Sequence, residues 1–241
     1  MKKAIIIGAS SGIGKALTIV LAENGYEVGL TARRKELLQA LQSELLTKSY
    51  IRQMDVAQTE EARAVFQDLI AEMQDVDLVV INAGIGSSGK IEWERSKQII
   101  EVNALGFAAI ANAAMDYFIE RGRGHIAGIS SIAGIKGLGR YNAYSASKAF
   151  ISNYMQGMRQ QAVRKNLAIT ITDVKPGFVA TPMTENNQAM FWVAPVEKAA
   201  QQIYTAIQKR KNHVYVTKRW RLVGWLLKIL PEWVYLRIPG M

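Results

Sequence analysis

Ile5-Ile6-Ile7-Gly8-Ala9-Ser10-Ser11-Gly12-Ile13-Gly14 opens the chain, and its reading decides the fold. Three successive β-branched aliphatic residues suit a strand covered on both faces, as strands of a parallel sheet are. Gly8, Gly12 and Gly14 then allow a tight turn and close backbone approach, and a helix begins at Ile13. A strand, a glycine turn and a helix start a βαβ unit, and a helix N-terminus facing such a turn favours a pyrophosphate. The spacing is Gly8-x-x-x-Gly12-x-Gly14 rather than GxGxxG. Alone it is a weak signal that a plain strand-to-helix turn also satisfies.

The pattern continues along the chain. Apolar runs alternate with amphipathic segments, as in repeated βαβ units. Strands are predicted at Ala4–Ile7, Glu27–Thr31, Tyr50–Gln53, Leu78–Ile81, His125–Ile129, Ala168–Val174 and Val214–Val216. Helices are predicted at Ile13–Asn24, Lys35–Leu46, Glu60–Glu72, Arg95–Arg121, Ala143–Lys165 and Pro195–Lys209. The expected fold is α/β: a Rossmann-type, doubly wound, mainly parallel seven-stranded sheet with helices on both faces. Residues 1–217 form the dinucleotide-binding and catalytic domain, and 218–241 a basic, Trp-rich amphipathic extension.

Composition narrows the chemistry. The chain has 241 residues, 49% apolar and 21% charged, an ordinary globular balance. It has no cysteine, which excludes disulfides, thiolate nucleophiles and cysteine-ligated metals. Two histidines, His125 and His213, each fall at the start of a predicted strand, so neither histidine-based metal chemistry nor a Ser-His pair is expected. The net charge is +10. With no arginine-rich arm or aromatic-basic motif, an anionic cofactor and a basic C-terminal segment explain that surplus better than nucleic acid. The apolar run after Lys3 ends at Gly8, too short for a signal peptide, and no stretch reads as a membrane-spanning helix.

The second predicted strand runs into Gly29-Leu30-Thr31-Ala32-Arg33-Arg34. An NAD-preferring site places an acid there for the ribose hydroxyls. Here two arginines follow instead, and guanidinium groups suit a 2′-phosphate, so NADP(H) is preferred over NAD(H). Arg33 is the stronger phosphate ligand and Thr31 a helper, while Arg34 is evenly divided between phosphate and the start of a solvated helix. Asp55-Val56 is placed to meet the adenine edge.

Tyr144-Ser-Ala-Ser-Lys148 sets a phenol and an ammonium four apart on one helix face. Ser131 lies thirteen residues earlier. Separately these residues read as an exposed helix pair and a strand-end cap. A Ser131–Lys148 hydrolase dyad is discounted, because Gly128-Ile-Ser-Ser-Ile lacks the second glycine of a nucleophile elbow.

Taken in order, the glycine loop, Asp55-Val56, Asn82-Ala83-Gly84, Asn103, Ser130-Ser131, Tyr144-x-x-x-Lys148 and Pro176-Gly177 with Thr181 resemble the short-chain dehydrogenase/reductase family over nearly the whole chain. The resemblance implies a catalytic tetrad of Asn103, Ser131, Tyr144 and Lys148. In it Lys148 lowers the phenol pKa and holds the nicotinamide ribose, Ser131 donates to the substrate oxygen, and Asn103 holds a relay water. The family interval to the tyrosine selects Ser131 over Ser130. The implied cofactor site comprises Gly8, Ser10, Ser11, Gly12, Ile13, Gly14, Thr31, Arg33, Arg34, Asp55, Val56, Asn82, Ala83, Gly84, Tyr144, Lys148, Pro176, Gly177, Val179 and Thr181.

In the family, the stretch Pro182–Ala194 forms a lid. Met183, Met190, Phe191 and Trp192 there suit an apolar substrate, though a loop packed onto the domain reads equally well. In 218–241, five basic residues accompany one acid and three tryptophans. On a helical projection Trp220, Leu222, Val223, Trp225, Leu226, Leu227, Ile229 and Leu230 cover over half the circumference, opposite Arg221, Gly224 and Lys228. Membrane contact, a second subunit or the substrate mouth would each occupy so wide an arc. The expected activity is NADP(H)-dependent hydride transfer to a small apolar ketone or from its alcohol, with a lipid-like compound a further option. The alternative is a non-catalytic nucleotide-sensing or membrane scaffold. A homodimer or homotetramer is expected, cytoplasmic, at the inner face of a membrane.

Overall fold

The computed structural model describes residues 1–86, 92–185 and 190–238. Seven strands form one sheet: β1 (Lys3–Ile7), β2 (Glu27–Ala32), β3 (Ser49–Gln53), β4 (Leu78–Ile81), β5 (Arg123–Ile129), β6 (Ala168–Pro176) and β7 (His213–Val216). Their order is β3-β2-β1-β4-β5-β6-β7, and every pairing is parallel, so the mainly parallel sheet of the sequence reading is wholly parallel.

Helices α1 (Gly12–Glu23), α2 (Lys35–Glu44) and α7 (Val196–Gln208) cover one face; α3 (Thr59–Met73), α5 (Phe107–Arg121) and α6 (Asn142–Arg164) cover the other. Successive strand residues point to opposite faces. Ile5 and Ile7 therefore join Phe66, Phe107, Phe118 and Met155, while Ala4 and Ile6 join Leu17, Leu21, Leu38 and Ile203. An apolar triplet is what two buried faces demand. Between β1 and β4 the strand order reverses, which opens a crevice at the carboxyl ends of the strands.

The helix expected at Arg95–Arg121 is not uniform. It comprises α4 (Trp93–Ile100), a π-helical turn over Glu101–Gly106, and α5. The turn packs tightly on the loop after β3, since a Cβ on Gly106 would lie 2.6 Å from the Val56 carbonyl oxygen. This path is also long and apolar enough to cross a membrane, contrary to the sequence reading, but 61% of its most apolar window is buried inside the protein. It is a core helix.

Beyond β7 the chain forms α8 (Trp220–Ile229) and α9 (Glu232–Tyr235). The sequence reading set Gly224 on the narrow outer face with Arg221 and Lys228. The structure reverses this: Trp220 and Gly224 are the buried residues of α8. A Cβ on Gly224 would lie 2.7 Å from the Tyr215 ring and 3.1 Å from Ile132 and Ile135, so only glycine brings the helix this close. Seating the helix on its smallest residue leaves most of the apolar arc outside.

Candidate active site

The crevice at the β1/β4 reversal is lined from four directions. The loop after β1 contributes Gly8, Ser10, Ser11, Gly12 and Ile13; the ends of β2 and β3 contribute Thr31, Arg33, Arg34, Asp55 and Val56. From β4 come Asn82, Ala83 and Gly84, and from the β5 and β6 side Ser131, Tyr144, Lys148, Pro176, Gly177, Val179 and Thr181. Of the cofactor residues expected from sequence, Gly14 alone does not line the crevice. Its role is packing: a Cβ there would lie 2.1 Å from the Gly8 carbonyl oxygen and 2.5 Å from the Asn82 amide.

The glycine loop is held by its neighbours. Gly8 has φ +88°, and its Cβ would fall 2.7 Å from the Ala83 backbone, so both conformation and space exclude a side chain. Gly8 and Ala9 donate from their backbone N–H groups to the Thr31 carbonyl at 2.8 and 3.0 Å, and the Asn82 amide donates to the Gly8 carbonyl at 2.7 Å. The result is an open cradle at the N-terminus of α1. No acid ends β2. The Arg34 guanidinium reaches back to the hydroxyls of Ser10 and Ser11, both at 3.2 Å. Both arginines are exposed and line the crevice, and of the two it is Arg34 that hydrogen-bonds to the loop. The Thr31 hydroxyl is fully buried and has no partner among the described residues.

At the other end, Ser131, Tyr144 and Lys148 converge. The Ser131 hydroxyl accepts from Ala133 N at 3.1 Å, donates to the Pro176 carbonyl at 3.4 Å, and is near enough to the Tyr144 phenol to pull its pKa down. Ser130 turns to the opposite side, where its hydroxyl donates to Asp173 at 2.5 Å and to the Val174 carbonyl at 2.9 Å. Of the two serines, only Ser131 has a hydroxyl beside the phenol.

The Lys148 Nζ donates to the Ile129 carbonyl at 2.9 Å and lies 5.7 Å from the Tyr144 ring centroid. Burial holds its pKa down to about 8, against a smaller upward pull from Asp173. The expected lowering of the tyrosine pKa does not occur here. Burial raises the Tyr144 phenol above its ordinary range, with only a partial opposing effect of Ser131. Loss of water sets the direction.

Asn103 lies in the π turn and is fully buried. Its amide clamps the chain after Gly84: Oδ1 accepts from Ile85 N at 2.8 Å, and Nδ2 donates to the Ile85 carbonyl at 3.0 Å and to Ser147 at 3.1 Å. Both amide hydrogens are thereby committed. A Cβ on Gly84 would lie 3.2 Å from Asn103 Oδ1 and 3.5 Å from Lys148 Nζ, so this glycine separates the two side chains.

Sequence reasoning missed several groups. Met54, Ile85, Val102, Met183 and Thr184 also line the crevice, and only the family lid hinted at Met183. Behind Ser130, the buried Asp173 pairs with Lys175 and faces His213 at 3.8 Å. Burial works to raise the Asp173 pKa, but His213, Lys175 and Ser130 together hold it at about 2. An acid and a lysine within an otherwise apolar strand were the available signal. His125 is a core residue, hydrogen-bonded to Thr172 at 2.7 Å, and burial lowers its pKa to about 4. Among the described residues no acidic or histidine cluster is able to hold a metal.

The stretch Pro182–Ala194 includes residues 186–189, which lie outside the described residues. Its base is closed by the Val179–Ala194 bridge, and Phe191 and Trp192 pack on Trp220 with ring centroids at 5.1 and 5.9 Å.

Comparison with known proteins agrees with this geometry. The short chain dehydrogenase family profile matches residues 2–191. The chain belongs to the short-chain dehydrogenase family. An uncharacterized oxidoreductase of Myxococcus xanthus is 38% identical over 192 residues, 77% of this chain and 75% of that protein. The NADP-dependent 3-hydroxy acid dehydrogenase YdfG of Escherichia coli K12 is 32% identical over 179 residues, 73% of this chain and 71% of that one. A short-chain dehydrogenase/reductase of Burkholderia phymatum, solved with NAD, superposes with a TM-score of 0.85 at 18% identity, covering 93% and 92% of the two chains. This member of the short-chain dehydrogenases is thus an oxidoreductase on a dinucleotide-binding fold.

Proposed function

We propose that the protein is an NADP(H)-dependent carbonyl reductase or alcohol dehydrogenase acting on a small-to-medium apolar ketone or alcohol. The observation that carries this reading is the convergence of Ser131, Tyr144 and Lys148 at one end of a crevice whose other end is an anion cradle. NADP(H) suits the crevice by three features: space that a Cβ would fill at Gly8, a buried unpartnered hydroxyl at Thr31, and Arg34 beside Ser10 and Ser11. Arg34 and Arg33 would hold the 2′-phosphate, the backbone of Ser11 to Ile13 the pyrophosphate, Asp55 and Val56 the adenine, and Val179 and Thr181 the carboxamide. When bound, the cofactor supplies the hydride to the carbonyl carbon.

The chain's own groups supply the rest. Ser131 donates a hydrogen bond to the substrate oxygen, and Tyr144 delivers its proton there as charge develops. A phenol held protonated by burial is already in the form that reduction requires. Lys148 keeps a positive charge beside it and binds the ribose. Asn103 positions Ile85 and Ser147 around the same corner.

An apolar substrate agrees with the lining. Among the described crevice residues the charged ones are Arg33, Arg34, Asp55 and Lys148, and the first three belong to the cofactor's adenosine end. Exposed Trp93, Ile100, Leu105 and Phe150 on α4, the π turn and α6 agree with a homo-oligomer. The same reading has a catalytic domain over 1–217, an extension over 218–241, and a cytoplasmic enzyme at the inner face of a membrane.

NADPH oxidation across a panel of carbonyls tests the proposal. Turnover is expected, and Tyr144→Phe should lower kcat by about 10²-fold or more while cofactor binding persists. Cofactor binding without turnover, unchanged by Tyr144→Phe, would instead favour a nucleotide-sensing scaffold.

A further inference from the structure

We infer that α8 and α9 form a docking surface for an anionic lipid bilayer, and that docking turns the substrate mouth toward the lipid. The second half rests on the carbonyl-reductase reading; the first does not.

The apolar stripe comes first. Because α8 is seated on Trp220 and Gly224, its residues Leu222, Trp225, Leu226 and Ile229 point outward, exposed by 71, 63, 53 and 55%. Positions i, i+3, i+4 and i+7 lie on one side of a helix. Beyond Pro231, Trp233 and Leu236 are exposed as well, by 66 and 73%. This is no loose tail: the Tyr235 hydroxyl donates to the Gly137 carbonyl at 2.5 Å. Scattered apolar residues are normal on a surface, but four lined up on one side of a helix mark a partner.

Charge then identifies the partner. Segment 218–241 holds five basic residues and one acid, Glu232. Beside α8 opens a hollow of about 1330 Å³ lined by Arg159, Lys211, Lys218, Arg221 and Lys228, with Trp225 shared between hollow and stripe. Its carboxylate, Asp173, is already paired with Lys175. A second copy of the chain related by a two-fold axis would bring the same cations face to face, which is repulsive. An anionic bilayer offers acyl chains to the stripe and phosphates to the cations.

The third observation is continuity with the crevice. Trp220 packs against Phe178, Phe191 and Trp192 at 5.6, 5.1 and 5.9 Å. Trp220 also sits on Gly177, which lines the crevice, and Phe191 and Trp192 beside it are half-exposed. An apolar substrate dissolved in the bilayer would meet this rim without crossing water.

The test is co-sedimentation of the full chain with vesicles of phosphatidylcholine alone, or with roughly 30% phosphatidylglycerol, at low and high salt. Binding to the anionic vesicles is expected, about tenfold or more above the neutral ones and weakened by salt. The double variant Trp225→Asp, Leu226→Asp should abolish it, and Arg221→Glu, Lys228→Glu should lower it about tenfold, with NADPH binding and circular dichroism unchanged. No partitioning of the full chain would overturn docking. So would a concentration-dependent dimer that these variants disperse, without vesicle binding.

Partitioning is read without turnover. Vesicle binding by a protein that reduces no carbonyl leaves docking standing and removes the reductase reading, while turnover without binding does the reverse. For the mouth, a long-chain carbonyl in anionic vesicles should be reduced several-fold faster by the wild-type chain than by Trp225→Asp, Leu226→Asp, and a short soluble carbonyl equally by both. Equal rates on both substrates would overturn that half.

Discussion

The Lys148 ammonium lies 5.7 Å from the centroid of the Tyr144 ring and donates its hydrogen bond to the Ile129 carbonyl at 2.9 Å. A cation so buried is expensive to keep charged, and its pKa falls to about 8. The phenol beside it moves the other way. Two neighbouring groups are thus driven by the same loss of water toward their neutral forms.

This sets the expected pH dependence of carbonyl reduction. Below pH 8 Lys148 is charged and Tyr144 protonated, so kcat/KM should be level; as pH rises through about 8, Lys148 loses its charge and kcat/KM should fall. A pH–rate profile in the reductive direction checks this. A profile still level well above that value would show that the Lys148 charge is not required.

Stability should respond with a definite sign. The folded-state pKa of Lys148 lies below its ordinary value of 10.5, so between about 8 and 10.5 the unfolded chain binds the extra proton, and the wild type gains stability as pH rises through that window. Below it the burial penalty is fully present. Lys148→Met should therefore raise stability at neutral pH by about 2 kcal/mol, a Tm rise of roughly 5 °C, while abolishing turnover. That advantage should shrink above pH 10. Thermal melts of both chains at neutral and high pH decide it; a Met variant that melts lower at neutral pH would contradict the assigned cost.

For the cofactor preference, Arg34 is the residue to change. Its guanidinium stands at 3.2 Å from both serines of the glycine loop. Arg34→Ala should raise KM for NADPH about tenfold or more and leave KM for NADH nearly unchanged, because a 2′-phosphate alone loses a charged partner. Steady-state kinetics with the two cofactors separate the outcomes. An equal change in both would mean that Arg34 supports the loop rather than reading the phosphate.

The sheet and most of the crevice were legible because their signals are local. Ile5-Ile6-Ile7 requires burial on two faces, and Gly8 requires a backbone that only glycine adopts. Residues missed or misjudged depend on groups far apart in sequence. Gly224 looks like part of a narrow polar face until Tyr215, Ile132 and Ile135 are placed beneath it. The π turn around Asn103 fits the same apolar pattern as a plain helix, and its tight approach to Val56 crosses 50 residues of chain. The Tyr144 pKa direction depends on how much water reaches it, which spacing to Lys148 does not report. Asp173 and Lys175 lie two apart on β6, yet their partners Ser130, Ser152 and His213 come from the loop after β5, from α6 and from β7.

Trp220 fills the space above Gly177, where a single added methyl would come within 2.1 Å of the indole. Cutting the chain after Thr217 would therefore do more than remove an appendage. It would unroof Phe178 and take away the surface on which Phe191 and Trp192 rest, altering the entrance through which any reactant must pass. Point changes on the outward side of α8 leave that keystone in place.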